Sequence, residues 1–134
     1  MDAETIVKNM YENDAFSQWL GISVDAISPG YCRLSMKVKD SMLNGFGLAH
    51  GGITYSLADS ALAFASNSRG RHAVSVETSI NHLEKLKSGD AVFAEATEVS
   101  LRNTIGLYRV EIKSNSKLVA VFNGTVYRTK TEWI

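Results

Sequence analysis

The sequence predicts an α+β domain, an antiparallel sheet wrapped around one long central helix with an amphipathic helix ahead of it. Three observations lead there. Residues from about Gly52 to Ser68 have helical spacing and are apolar nearly all round, so that helix belongs inside. Segments before and after it alternate apolar and polar residues with the two-residue period of strands. The connections between the later segments are only a few residues long, as antiparallel neighbours permit.

Taken in order, Ala3 to Leu20 reads as the leading helix, with Ile6, Val7 and Met10 on one stripe and Glu4, Lys8 and Glu12 opposite. Phe16 and Trp19 are expected to pack its end onto the sheet. Ile22 to Ile27 and Tyr31 to Lys39 read as strands joined by a turn at Ser28-Pro29-Gly30. In the second, Cys32, Leu34, Met36 and Val38 take the inner face. Cys32 is the only cysteine, so it has no internal disulfide partner and reads as core filler rather than nucleophile.

On the long helix, at about 100° per residue, Ile53, Leu57, Ala61, Phe64 and Ala65 share one broad face, with Asp59 opposite beside Tyr55, Leu62 and Ser66. Arg69-Gly70-Arg71 then makes a loop. In the strand after it, Val74, Val76, Thr78 and Ile80 are expected on one face and Ser75, Glu77, Ser79 and Asn81 on the other. Asp90 to Val99, Thr104 to Lys113 and Leu118 to Arg128 complete the strands, with turns at Arg102-Asn103 and Ser114-Asn115-Ser116. Within Thr104 to Lys113, Tyr108, Val110 and Ile112 alternate with Arg109, Glu111 and Lys113, as a sheet with one covered face requires.

The 134 residues suit a single domain spanning 1–134, with no composition break, repeat or linker. The 14 basic and 14 acidic side chains cancel, which argues against a nucleic-acid partner. No apolar run is long enough to span a membrane, and the N-terminus has no signal-peptide pattern, so a cytoplasmic location is expected.

Between Asp40 and Arg69 the only charged side chain is Asp59. A carboxylate on a buried helix is costly unless something pairs with it or uses it, so Asp59 reads from the helix alone as either a satisfied buried acid or a working group. The residues ahead of it favour the second. Asn44, His50, Gly51 and Gly52 put an amide, an imidazole and unobstructed backbone N–H groups where the chain enters the helix. A helix N-terminus has unpaired donors and a positive dipole end, which together can hold a carbonyl oxygen as it becomes negative.

Asn44, His50-Gly51-Gly52, Ser56-Leu57-Ala58-Asp59-Ser60-Ala61 and Asn67-Ser68, followed by Gly89-Asp90, Ala94-Glu95-Ala96, Gly106-Leu107-Tyr108 and Val119 to Gly124, together resemble the PaaI-like acyl-CoA thioesterases of the hotdog superfamily. The resemblance runs from about Met42 to Arg128. It implies a hotdog fold and hydrolysis of an acyl-CoA thioester, a reaction that needs no cofactor and no metal. Asp59 would act as general base or as direct nucleophile, and the residues leave both routes open. The Gly51 N–H would hold the thioester oxygen, with His50 positioning that end or simply capping the helix, Asn44 orienting the carbonyl or the water, and Gly52 and Ser75 in substrate contact. The resemblance further implies a homodimer or homotetramer with shared sites, in which Asn44, His50 and Gly51 come from one chain and Asp59 from its partner.

Coenzyme A brings phosphates, for which Arg102, Lys85, Lys87, His82 and Arg128 are candidates. Here the chain departs from the family, with Leu83-Glu84-Lys85 where Leu-Arg-Pro is frequent and Leu101-Arg102 where a glycine precedes the basic residue. Other chemistries fit less well. His50, His72 and His82 lack metal-ligand spacing with one another or with Cys32. The glycines at 45, 47, 51 and 52 form neither a dinucleotide fingerprint nor a phosphate loop, and Ser56 and Ser60 lack a sharp-turn nucleophile motif. The alternatives from within the superfamily are a non-catalytic acyl-CoA binding or sensing protein and a hydratase. Retention of Asp59 counts against the first, and the absence of a longer hydration motif against the second.

Overall fold

The computed structural model describes all 134 residues. The leading helical stretch is two helices rather than one, α1 (Ala3–Glu12) and α2 (Ala15–Leu20). Asp14 makes the break. Its carboxylate accepts the Ser17 amide N–H at 2.9 Å and the Ser17 hydroxyl at 2.6 Å, which opens a new helix. Apolar spacing continues across such a cap, so periodicity alone cannot show it. The turn of direction also overturns the expected packing of Phe16 and Trp19 on the sheet. Each is 53 % exposed, their rings stack at 5.9 Å, and both line a groove beside the start of the long helix. Gly21, at φ +75°, supplies the left-handed residue that stops α2.

Six strands follow: β1 (Ser23–Ser28), β2 (Tyr31–Lys37), β3 (Arg71–His82), β4 (Ala91–Leu101), β5 (Ile105–Ser114) and β6 (Lys117–Glu132). They form one antiparallel sheet in the order β1-β2-β4-β5-β6-β3. The long helix, α3 (Gly51–Asn67), carries the chain from β2 to β3 at the far edge, packing on the way against β2, β3, β4, β5 and β6. This is the helix wrapped by a sheet that the sequence predicts.

One face assignment fails, in β3. Ser75 pairs with Val126 and Glu77 with Thr125, the next residue of β6, so Val76 is an extra residue in the ladder. That bulge shifts the phase of alternation. Thr78 and Ile80 face the helix as expected, but on the other side of the bulge it is Ala73 and Ser75 that do so. Val74 and Val76 are turned out, 55 % and 60 % exposed.

The core surrounds α3. Leu57, Ala58, Ala61, Leu62, Phe64 and Ala65 are all buried, as are Cys32, Leu34, Met36 and Val38 from β2 and its end. Full burial of each large apolar side chain contributes about 1.5–3 kcal/mol. The Cys32 thiol donates to the Ala61 carbonyl at 3.2 Å, and burial pushes its pKa up to about 12, so it stays an unreactive thiol. The helix comes so close to β6 that a side-chain carbon on Gly124 would lie 2.6 Å from Leu62 Cδ2. No helix of the structure is long and apolar enough to cross a membrane.

Asn67 fastens the far end of α3. Its amide donates to the carbonyls of Ala63 (2.9 Å) and Ala73 (3.0 Å), and its oxygen accepts from the Ala73 N–H (3.0 Å) and the Trp133 indole (3.1 Å). Replacing this buried side chain leaves the Ala73 N–H and C=O and the indole N–H unpaired. Asn67→Ala is therefore expected to destabilise the fold by about 3 kcal/mol. A urea midpoint unchanged from wild type would show that Asn67 does not fasten the helix.

Candidate active site

The loop into α3 is folded around the carbonyl end of Asn44. Its Oδ1 accepts the amide N–H groups of Phe46 (2.9 Å) and Leu48 (3.2 Å), and its own backbone N–H donates to the Leu48 carbonyl at 2.7 Å. Only the amide nitrogen Nδ2 is left without a partner. Asn44 can thus donate to a carbonyl or a water, but its oxygen is already committed.

His50 is the N-cap of α3, its Nδ1 accepting the Gly52 amide N–H at 2.8 Å. In the neutral ring this acceptor role places the proton on Nε2. The imidazole therefore holds local geometry, the capping half of the two roles expected for it. Gly52 loses its N–H to this cap. A side-chain carbon there would stand 3.0 Å from His50 Nδ1, so glycine makes room for the ring. The Ile53 N–H goes to the His50 carbonyl at 2.9 Å, whereas the Gly51 N–H has no acceptor within the chain. Unlike the amides of Gly52 and Ile53, that of Gly51 stands free at the positive dipole end.

Asp59 lies eight residues further along the same helix, about 12 Å along the axis and about 80° around it. It lines a partly open cavity of about 260 Å³ with Leu62, Ala63, Ser66, Ala73, Val74, Ser75 and Val126. The carboxylate has no ion pair and accepts no hydrogen bond, and burial pushes its pKa above the ordinary carboxylate value. The bulge in β3 is what brings the Ser75 hydroxyl into this cavity. Ser60, next to Asp59, is tied instead to the Ser17 hydroxyl at 2.8 Å.

The basic candidates separate into two places. Lys85 shares a cavity of about 170 Å³ with Asn44, Thr54 and His82, at the start of α3. Arg102 sits on the turn between β4 and β5, where the Arg128 guanidinium donates to its carbonyl at 2.6 Å. Arg71 donates to the backbone of neighbouring Asn103. Burial, and then the nearby positive charge of Arg71, lowers the Arg128 pKa, as expected where guanidinium groups crowd together. Arg128 stands two residues, about 7 Å, beyond Val126 on the same face of β6, which sets this cluster beside the Asp59 cavity. Arg71 escaped the sequence reading because it opens a strand directly after a loop, where a single arginine reads as solvated surface. Arg69 is neutralised by a two-point contact with Glu98 at 2.9 and 3.0 Å. No three His, Cys, Asp or Glu side chains gather as a metal site would need.

Residues 46–121 match the family model described as the thioesterase superfamily. The acyl-coenzyme A thioesterase PaaI of Escherichia coli K12 is 39 % identical over 120 residues, covering 89 % of this chain and 86 % of its own. The solved structure of the E. coli PaaI protein from the phenylacetic acid degradation operon superposes with a TM-score of 0.95 at 37 % identity, over 97 % of this chain and 95 % of that one. Human acyl-coenzyme A thioesterase 13 is 30 % identical over 120 residues, 86 % of each chain. A hypothetical thioesterase protein from Streptococcus pneumoniae TIGR4, in a structure with coenzyme A, has a TM-score of 0.80 at 26 % identity, over 84 % of this chain and 91 % of that one. Alanine variants of a hypothetical thioesterase from the same strain, at an aspartate and at a threonine sixteen residues further on, are also similar. A free amide at a helix start, an uncompensated carboxylate on the same helix, and a sheet that superposes almost throughout agree with these matches: the chain belongs to the thioesterase superfamily, in its PaaI-like hotdog group.

Proposed function

We propose that this thioester hydrolase cleaves acyl-CoA in a site assembled from two copies of the chain, with Gly51 and Asn44 from one and Asp59 and Ser75 from the other. One observation carries the reading. Gly51 and Asp59 are set apart on one rigid helix by a rise of about 12 Å and a turn of about 80°, which points the free amide and the unpaired carboxylate at different places, so each needs its counterpart from a second chain. The setting of β3 supports it. This strand lines the Asp59 cavity, is one of the two edge strands of the sheet, and leaves Val74 and Val76 exposed beside its unpaired edge.

In that site the thioester oxygen sits on the Gly51 N–H, and the Asn44 Nδ2 donates to the same carbonyl. Charge developing on the oxygen in the transition state meets donors that are already oriented. Asp59 either takes a proton from an attacking water held by Ser75, or attacks the carbonyl carbon itself and is freed by water afterwards. In both routes the C–S bond breaks, coenzyme A leaves as the thiolate, and the acid is released. Asp59 and Ser75 are sixteen residues apart, as are the aspartate and threonine varied in the pneumococcal structures, which favours a hydroxyl partner for the carboxylate. Lys85 and the Arg71, Arg102 and Arg128 cluster are the cationic groups available to the phosphates of coenzyme A.

The test is release of free thiol from a panel of aryl- and alkyl-acyl-CoAs, followed by subunit mixing. Asp59→Asn and Gly51→Val chains are each expected to be nearly inactive. Unfolded and refolded together, they should regain activity that neither has alone, because a mixed pair contains one intact site. No thiol release from wild type overturns the function. Mixed chains as inactive as their parents, or an active monomer in sedimentation, overturn the shared site.

A further inference from the structure

His82 is the last residue of β3, where the edge of the sheet meets the first turn of α3. Its imidazole makes no hydrogen bond within the chain. It lies on the side of Gly51 where a side chain would otherwise project: a carbon there would come within 3.3 Å of His82 Nε2 and 3.5 Å of Cε1. In a helix that direction tilts toward the N-terminus, the same way the first N–H groups point. The free amide and the unengaged ring nitrogen therefore look onto the same space. His82 also lines the cavity that holds Asn44, Glu84 and Lys85, so the unpartnered Asn44 Nδ2 and His82 Nε2 both stand at the end of α3 where the Gly51 N–H is free. His50, its Nδ1 held by the Gly52 amide, lines the neighbouring groove with Trp19 and Ile53 rather than this cavity.

We propose that His82, through Nε2–H, is a second donor to the thioester oxygen beside the Gly51 amide, and so a catalytic residue rather than a contact to the phosphates of coenzyme A. The inference rests on the thioesterase reading above and adds a residue to it. During attack on the carbonyl carbon the C=O electron pair moves onto the oxygen, which then accepts from both donors. The pair returns as the C–S bond breaks, and His82 keeps its proton throughout. A donor of this kind acts on the transition state more than on bound substrate.

The experiment compares wild type with His82→Phe, which keeps a flat ring of similar size without a donor, and His82→Gln, which restores an N–H near the same point. Both side chains replace an exposed residue, so both proteins are expected to fold. Acyl-CoA turnover is measured alongside the affinity for a non-hydrolysable thioether analogue, which lacks the reacting carbonyl. The expected result is a kcat at least about tenfold lower in His82→Phe, partial recovery in His82→Gln, and analogue affinity within twofold of wild type in both. His82→Phe with wild-type kcat overturns the proposal while leaving the thioesterase reading intact. A loss confined to KM and analogue affinity does the same and makes His82 a coenzyme A contact. A wild type that releases no thiol overturns both readings.

Discussion

Asp59→Asn is expected to lower thioester turnover by at least about a hundredfold while leaving the protein folded, oligomeric and able to bind acyl-CoA. A general base contributes about 10²–10⁴ in rate and a nucleophile more, and the amide can serve as neither. The side chain is nearly isosteric, and no protein group depends on the carboxylate for a hydrogen bond, so the fold loses nothing by the exchange. It should gain. Burial raises the folded-state pKa of Asp59, so the protonated form is favoured in the native protein and stability falls as pH rises from the unfolded pKa through the folded one. The asparagine protein lacks that loss, and at neutral pH its melting temperature should equal or exceed the wild-type value. The same shift governs activity. A base or nucleophile must be ionised, so the acidic limb of the kcat profile should lie above the ordinary aspartate range, with activity lost as pH falls through it. An asparagine variant that melts early while its folded fraction turns over normally would return Asp59 to the role of a structural acid.

Gly51→Val tests the other half of the site, and kcat is expected to fall by about 10²–10³, the typical effect of losing one oxyanion donor. The amide itself survives the substitution. What changes is its surroundings: the new Cβ comes within 3.3 Å of the His82 ring, and the two γ-methyl groups crowd the space in front of the N–H. Circular dichroism and sedimentation should match wild type, because Gly51 has no positive φ to relax and its side-chain space opens toward the site rather than the core. Near-normal turnover in a folded Gly51→Val protein would mean that the oxygen is held elsewhere. Since valine also displaces His82, the His82→Phe result apportions the loss between the two donors.

Much of this was readable in the residues, and what was not has a physical reason in each case. The buried helix, the inner face of β2 and the alternation of β5 follow from hydrophobic period, and all three stand in the structure because burial decides them. The break at Asp14 is decided by one carboxylate bonding to Ser17, a local contact with no periodic signature. Unobstructed amides at the start of α3 were expected from the two glycines, yet which of them is free depends on which N–H the His50 ring accepts. The commitment of the Asn44 oxygen to Phe46 and Leu48 is likewise a matter of loop geometry. Lys85 and Arg102 lie at opposite ends of α3 within one chain, a separation that no linear spacing reveals, and the part played by Arg71 appears only where turns from distant parts of the sequence meet.

The extra residue at Val76 divides β3 into two reading frames, and this governs what can be learned by varying the strand. A library that randomises alternate positions on the assumption of regular alternation would sample the Asp59 cavity on one side of residue 76 and the outer surface on the other. Ala73 and Ser75 form one functional set with Thr78 and Ile80, although the parity of their numbers differs. Deleting Val76 would remove the extra residue and leave one regular ladder, with Ser75 still on the face of Thr78, which meets Tyr55 hydroxyl to hydroxyl. Loss of the residue at 76 is thus absorbed by the ladder, whereas a one-residue insertion between Ser75 and Thr78 would set the two hydroxyls on opposite faces.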